Sequence, residues 1–131
     1  MDQLQFATGQ GRCRVSLRID RLGSDLVAFI YNKGAHLGAV AVAEWDGEHN
    51  RVSVSVHTRL GHKDDAVAQR AAYAIAKSTR ATVCVVAGIH LDDIRRTEIE
   101  RILVNTDLAV DKFLARIPHS PTSPFTPGNQ K

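Results

Sequence analysis

Between Arg12 and Asp20 apolar and polar side chains alternate without a break. Cys13, Val15, Leu17 and Ile19 fall on one side, and Arg12, Arg14, Ser16, Arg18 and Asp20 on the other. Period two is the signature of a strand with one wet face. The segment "RLGSD" turns the chain at Gly23 and "LVAFIYN" makes the next strand, after which "NKGAH" turns again at Gly34. "LGAVAVAEW" is apolar on both faces, as a central strand with small side chains would be. The hairpin turn "DGEHN" leads into "RVSVSVHT", where Val52, Val54 and Val56 oppose Ser53, Ser55 and His57. These strands, joined by short turns, read as an antiparallel meander.

The period then changes. "DDAVAQRAAYAIAKSTR" is rich in alanine and places Val67, Ala71, Ala74, Ile75 and Ser78 at helical spacing, a face small enough to lie close on a sheet. "ATVCVVAG" is wholly apolar and too short for an ordinary helix, so it reads as a further, buried strand. From Thr97 one stripe holds Ile99, Ile102, Leu103, Thr106, Val110, Phe113, Leu114 and Ile117, and Thr97 with Glu100 fits a capping box. The predicted order is ββββαβα: an α+β domain with an antiparallel sheet of about five to six strands and helices packed on it. Its expected limits are residues 11–117. Residues 1–10 are polar and read as a loose lead-in, and residues 118–131, which hold all four prolines, read as a disordered tail.

A chain of 131 residues serves one core and buries enough surface to need no metal or disulfide staple. There is no basic-then-apolar leader and no apolar run of about 18 residues, so neither secretion nor a membrane span is expected. Cys13 and Cys84 lie in apolar runs without CxxC spacing and read as small core residues of a cytoplasmic protein. A net charge of +3 suits an anionic ligand but is too diffuse for nucleic acid. Arg12, Arg14 and Arg18 form a basic stripe, read first as a solvated face and second as a docking surface for an acidic partner.

Two segments carry the pattern His-x-Asp-Asp: His62-Lys63-Asp64-Asp65 and His90-Leu91-Asp92-Asp93. Each follows a strand and leads towards a helix, where unpaired backbone N–H groups take either an aspartate cap or a ligand anion. Asp64 or Asp65 is a natural cap for the alanine-rich helix, and Asp92 or Asp93 for a turn before Thr97. Capping does not call for the histidines. His62 follows Gly61, His90 lies two residues past Gly88, and His36 sits between glycines in "KGAHLG". Glycine allows close backbone approach to a ligand.

Three accounts remain open for His36, His62, Lys63 and His90 with Asp64, Asp92 or Asp93. On spacing alone, surface residues with local hydrogen bonds come first. A clamp for a phosphate-bearing ligand comes second, favoured by Lys63. A divalent metal held by His36, His62 and His90 comes third, since HExxH and paired CxxC are absent. His49, His57 and His119 sit in a turn, on a polar strand face and in the tail. Without GxSxG, a Walker loop or GxGxxG, neither a hydrolase triad nor a nucleotide fingerprint is supported.

Taken in order, "GAHLGAVAVAE", "GHKDD" and "GIHLDDI", followed by "EIERILVN", resemble the prenylated-flavin chaperones of the LpdD-like family, which accompany UbiD-type decarboxylases such as gallate decarboxylase. The resemblance runs from Gly11 to Ile117. It implies a fold like that of the proteasome assembly chaperones, commonly dimeric. It also implies binding of prenylated flavin mononucleotide, or the unprenylated form, for maturation or delivery to the decarboxylase. The motif residues it carries over are His36, Gly38, Gly61, His62, Lys63, Asp64, His90 and Asp92. On this basis Lys63 and backbone N–H groups near Asp64 are expected to meet the phosphate. His36 and His90 are expected to contact the flavin or a bridging metal. The expected role is that of a cofactor chaperone rather than an enzyme, with assistance to flavin oxidation left open. An assembly chaperone without cofactor and a small metal-dependent enzyme stand as the alternatives.

Overall fold

The computed structural model describes residues 3–60 and 64–117. The strands are β1 (Leu4–Thr8), β2 (Val15–Leu22), β3 (Asp25–Tyr31), β4 (Ala39–Asp46), β5 (Arg51–Thr58) and β6 (Val83–Gly88), and the helices are α1 (Asp65–Thr79) and α2 (Arg96–Arg116). One six-stranded sheet has the order β1-β2-β3-β6-β4-β5. The α+β class and the packing of helices on a sheet stand as predicted. The pairing does not, because β6 runs parallel to β3 and antiparallel to β4, which makes the sheet mixed.

The reason lies in β6 itself. Its apolar side chains need neighbours along both edges as well as a covered face. The connection from Asn32 to Gly38 is long enough to hold β3 and β4 one strand apart, so the expected meander opens and β6 fills the gap. Helix α1 carries the chain from the edge strand β5 over β4 to that central position. Small side chains permit the crossing: Ala39, Ala41 and Ala43 of β4 and Ala68, Ala72 and Ala76 of α1 are all buried.

Residues 4–8 are a strand, not a loose lead-in. β1 pairs with β2 from Leu4↔Ile19 to Thr8↔Val15, and Phe6 meets Phe113 of α2 edge to face at 6.2 Å. The Thr8 hydroxyl donates to Asn105 O. Five residues between polar neighbours carry too little periodicity to announce an edge strand, and it is the docked α2 that gives Phe6 its partner. Over β1 and β2, α2 buries Ile102, Thr106, Val110 and Phe113 of the predicted stripe and adds Asn105 and Ala109.

Both helices contact the sheet through the face that carries Val15, Leu17, Ile19, Leu26, Ala28, Ile30, Val83 and Val85. Neither described helix lies on the opposite face, and its centre is apolar: Val27, Phe29, Val40, Val42, Cys84 and Val86 share it by register. Arg18 lies over the Phe29 ring at 4.4 Å and pairs with Asp20 at 3.0 Å. The basic stripe is therefore broken, since Arg12 sits in a short turn, Gly11–Cys13, and faces α2. Cys13 and Cys84 are only partly buried, and burial pushes the Cys84 thiol pKa up. No described helix is long and apolar enough to cross a membrane.

Candidate functional site

The carboxyl ends of β3 and β6, the start of β4 and the end of β5 lie together at one end of the sheet. The connections that leave this end carry the sequence-predicted residues. His36 comes from the β3–β4 connection, Asp64 from the start of α1, and His90 and Asp92 from the segment between β6 and α2. Gly61, His62 and Lys63 lie outside the described residues, so the roles expected of them are not placed.

Glycines let these segments close on one another. A Cβ on Gly38 would stand 1.8 Å from Asp64 Oδ2, and one on Gly88 would stand 2.4 Å from the backbone oxygen of His36. The Gly38 N–H donates to Ala87 O at 2.9 Å and its carbonyl accepts from Arg59 N at 2.8 Å, so β4 is extended just where the carboxylate lies against it. Asp64 is 8% exposed, and its Oδ2 accepts the Ile89 N–H at 3.0 Å. It takes the cap position of α1, but its side chain makes no cap bond there; its carbonyl accepts the Ala68 N–H instead. The carboxylate joins the start of α1 to the end of β6.

Asn32, buried at the end of β3, makes the second junction. Its Nδ2 donates to His90 O at 2.8 Å and its Oδ1 accepts the His90 N–H at 3.0 Å, a two-point hold on that residue's backbone. The imidazole of His90 then lies 5.2 Å from that of His36, centroid to centroid, with the planes tilted by 44°. On its other side His90 Nε2 is 3.2 Å from Asp92 Oδ1.

Arg12 fixes the segment from below. Its Nη2 donates to Asp92 O at 2.6 Å and its Nε to Glu98 Oε2 at 2.7 Å. Glu98 also accepts the Arg95 N–H at 3.0 Å, so the helix start is closed by Arg95 and Glu98 rather than by Thr97 and Glu100. The Arg95 amide and the Arg12 guanidinium hold the Glu98 carboxyl below its ordinary pKa, and Glu98 raises that of Arg12 in return.

The result is a cleft of about 560 Å³ between the starts of α1 and α2. His36, Asp64 and His90 line it together with Val67, Ile89, Leu91, Ile94, Ile99, Ile102 and Leu103. The volume is in the range of small-molecule sites, which are mostly apolar with a few placed polar groups. Asp92 is not in its wall; its side chain is 87% exposed. Sequence reading missed Asn32, which looked like a turn residue, and counted Ile99 as core although it is 43% exposed at the cleft.

This arrangement of two helices on one face of a six-stranded mixed sheet has a counterpart among solved structures. A crystal structure described as a novel chaperone complex for yeast 20S proteasome assembly has it, with a TM-score of 0.55 over 88% of this chain and 94% of that one. Identity is 14%, so the likeness is one of fold. The chain belongs to the prenylated flavin chaperone LpdD-like family, whose domain matches residues 9–118. No curated protein matches it.

The cleft suits such a cofactor by the chemistry of its lining. Aliphatic side chains offer a surface to a ring system and a prenyl chain, and the two imidazoles offer hydrogen-bonding nitrogens at one side. A metal is less well served: among the described residues no three His, Cys, Asp or Glu side chains group to hold one. Of the metal candidates His36, His62 and His90, the first and last meet, and His62 lies outside the described residues.

Proposed function

We propose that this protein binds prenylated flavin mononucleotide in the cleft at the sheet end and passes it to a UbiD-type decarboxylase. The observation that carries the reading is the meeting of His36, Asp64 and His90 from three separate segments over an apolar wall, in a chain of the prenylated-flavin chaperone family. The aliphatic wall takes the ring and prenyl group out of water. His36 and His90 give orientation through hydrogen bonds, and Asn32 keeps His90 in place by its backbone. The cofactor supplies the decarboxylation chemistry in the recipient enzyme, while this chain holds and orients it.

In this reading the protein acts in the cytoplasm as a homodimer. The helix-free sheet face supports the dimer, because Phe29, Val40, Val42 and Val86 form an apolar centre there. The experiment is a flavin absorbance titration of the full chain with prenylated flavin mononucleotide, followed by mixing with an apo decarboxylase. Saturable binding weakened by His90→Ala, followed by gain of decarboxylase activity, is the expected result. If the cofactor does not bind, or if the His36→Ala/His90→Ala variant binds it as tightly as the parent, the reading is wrong. An assembly chaperone without cofactor is the second account, favoured by the fold shared with a proteasome assembly complex. It requires a complex with a partner subunit that survives loss of both imidazoles.

A further inference from the structure

A second cleft, of about 570 Å³, opens beside the first. Arg12, Arg14 and Lys33 line it with Ser16, Tyr31 and Leu91, and none of its lining residues is acidic. We propose that this basic cleft, and not the start of α1, holds the phosphate of the flavin mononucleotide whose ring occupies the apolar cleft; the inference rests on the flavin reading above.

Two observations bear on it. Beside the start of α1, where backbone amides would ordinarily receive a phosphate, lies the buried Asp64 carboxylate, which makes no bond to those amides and accepts the Ile89 N–H instead. A phosphate at that point would bring a second negative charge against the first, with little water between them. The basic cleft has the opposite character. Arg14 donates from Nη1 to Gly9 O at 3.2 Å, which sets the plane of its guanidinium, and such a fork can take two phosphate oxygens at once. Arg12 has its charge balanced by Glu98, so it is a wall and an anchor rather than a principal ligand. Tyr31 and Ser16 face each other across β3 and β2 and bring hydroxyls to the same side.

The two clefts also share structure. Leu91 lines both, and Asn32, in the wall of the basic cleft, holds the backbone of His90, in the wall of the apolar one. A ligand with an apolar ring at one end and a phosphate at the other would lie across Leu91. Neither a phosphate alone nor a flavin without phosphate would use both halves.

The test compares flavin mononucleotide with riboflavin, which lacks the phosphate, by quenching of flavin fluorescence on the full chain. The parent protein is expected to prefer the mononucleotide. The double variant Arg14→Gln/Lys33→Gln should lose about tenfold for the mononucleotide and nothing for riboflavin. Both side chains are exposed, and an unchanged thermal melt would show that the variant folds. Equal affinity of the parent for the two flavins overturns the proposal while leaving the ring site standing. So does a loss that appears with Lys63→Gln and not with the double variant. Failure of both flavins to bind the parent removes the flavin reading, and this inference falls with it.

Discussion

Asp64 and Asp92 hold the same place in two copies of one four-residue pattern, yet their surroundings are opposite. Asp64 is 8% exposed, lies against Gly38 and accepts the Ile89 N–H, whereas the Asp92 side chain is 87% exposed and lies 3.2 Å from the imidazole of His90. The difference extends to how each segment is held. The first is fastened through its carboxylate, the second through backbone, by Arg12 on Asp92 O and Asn32 on His90. Identical spelling therefore serves a structural junction in one place and a surface contact in the other, and burial decides which.

The sharpest way to break this contrast is to push the junction apart. Gly88→Ala sets a methyl group 2.4 Å from a backbone oxygen that has no side-chain freedom to retreat. It should cost about 3 kcal/mol in urea unfolding, and a near-neutral result would mean that the His36 and Gly88 segments are not pressed together. Asp64→Ala comes next. It leaves the Ile89 N–H without its acceptor and should cost about 2 kcal/mol, while Asp64→Asn, which keeps a carbonyl acceptor, should recover much of that. Equal losses for the two would contradict a hydrogen-bonding role. Asn32→Ala removes both bonds to the His90 backbone and should cost about 1.5 kcal/mol. In nuclear magnetic resonance spectra the amide of His90 should move more than that of Ile89.

The backbone-held side of the comparison predicts smaller effects. Glu98 has a lowered carboxyl pKa because it accepts the Arg95 N–H and pairs with Arg12. A carboxylate with a depressed folded pKa adds stability above its unfolded pKa and loses it as the pH falls through the folded one. Glu98→Gln should therefore flatten the acid-side decline in stability and leave its slope near neutral pH unchanged. An unaltered acid limb would disprove the coupling. Asp92→Asn should change stability by no more than about 0.5 kcal/mol. A loss equal to that of Asp64→Ala would erase the distinction between the two segments.

Much of this protein was legible from local pattern. Alternation marked β2 and β5, apolar runs between turns marked β3 and β4, and the two helices followed from stripes whose central residues, Val67, Ala71 and Ile75 in α1 and Ile102, Thr106 and Phe113 in α2, are indeed buried. Such signals are carried by neighbours in the chain, where side-chain direction repeats with the period of the element. The glycine-flanked histidines could be picked out as candidates for the same reason, and two of them, His36 and His90, meet.

Only the tertiary structure decided the rest. That "ATVCVVAG" enters between β3 and β4, that Leu4–Thr8 finds an edge, and that Asp64 faces Ile89 instead of its own helix all depend on contacts between segments far apart in sequence. A residue's spelling sets which bonds it can make, but its partner is chosen by competition among all the segments that fold against it. For the two aspartates that competition placed one carboxylate inside and left the other in water.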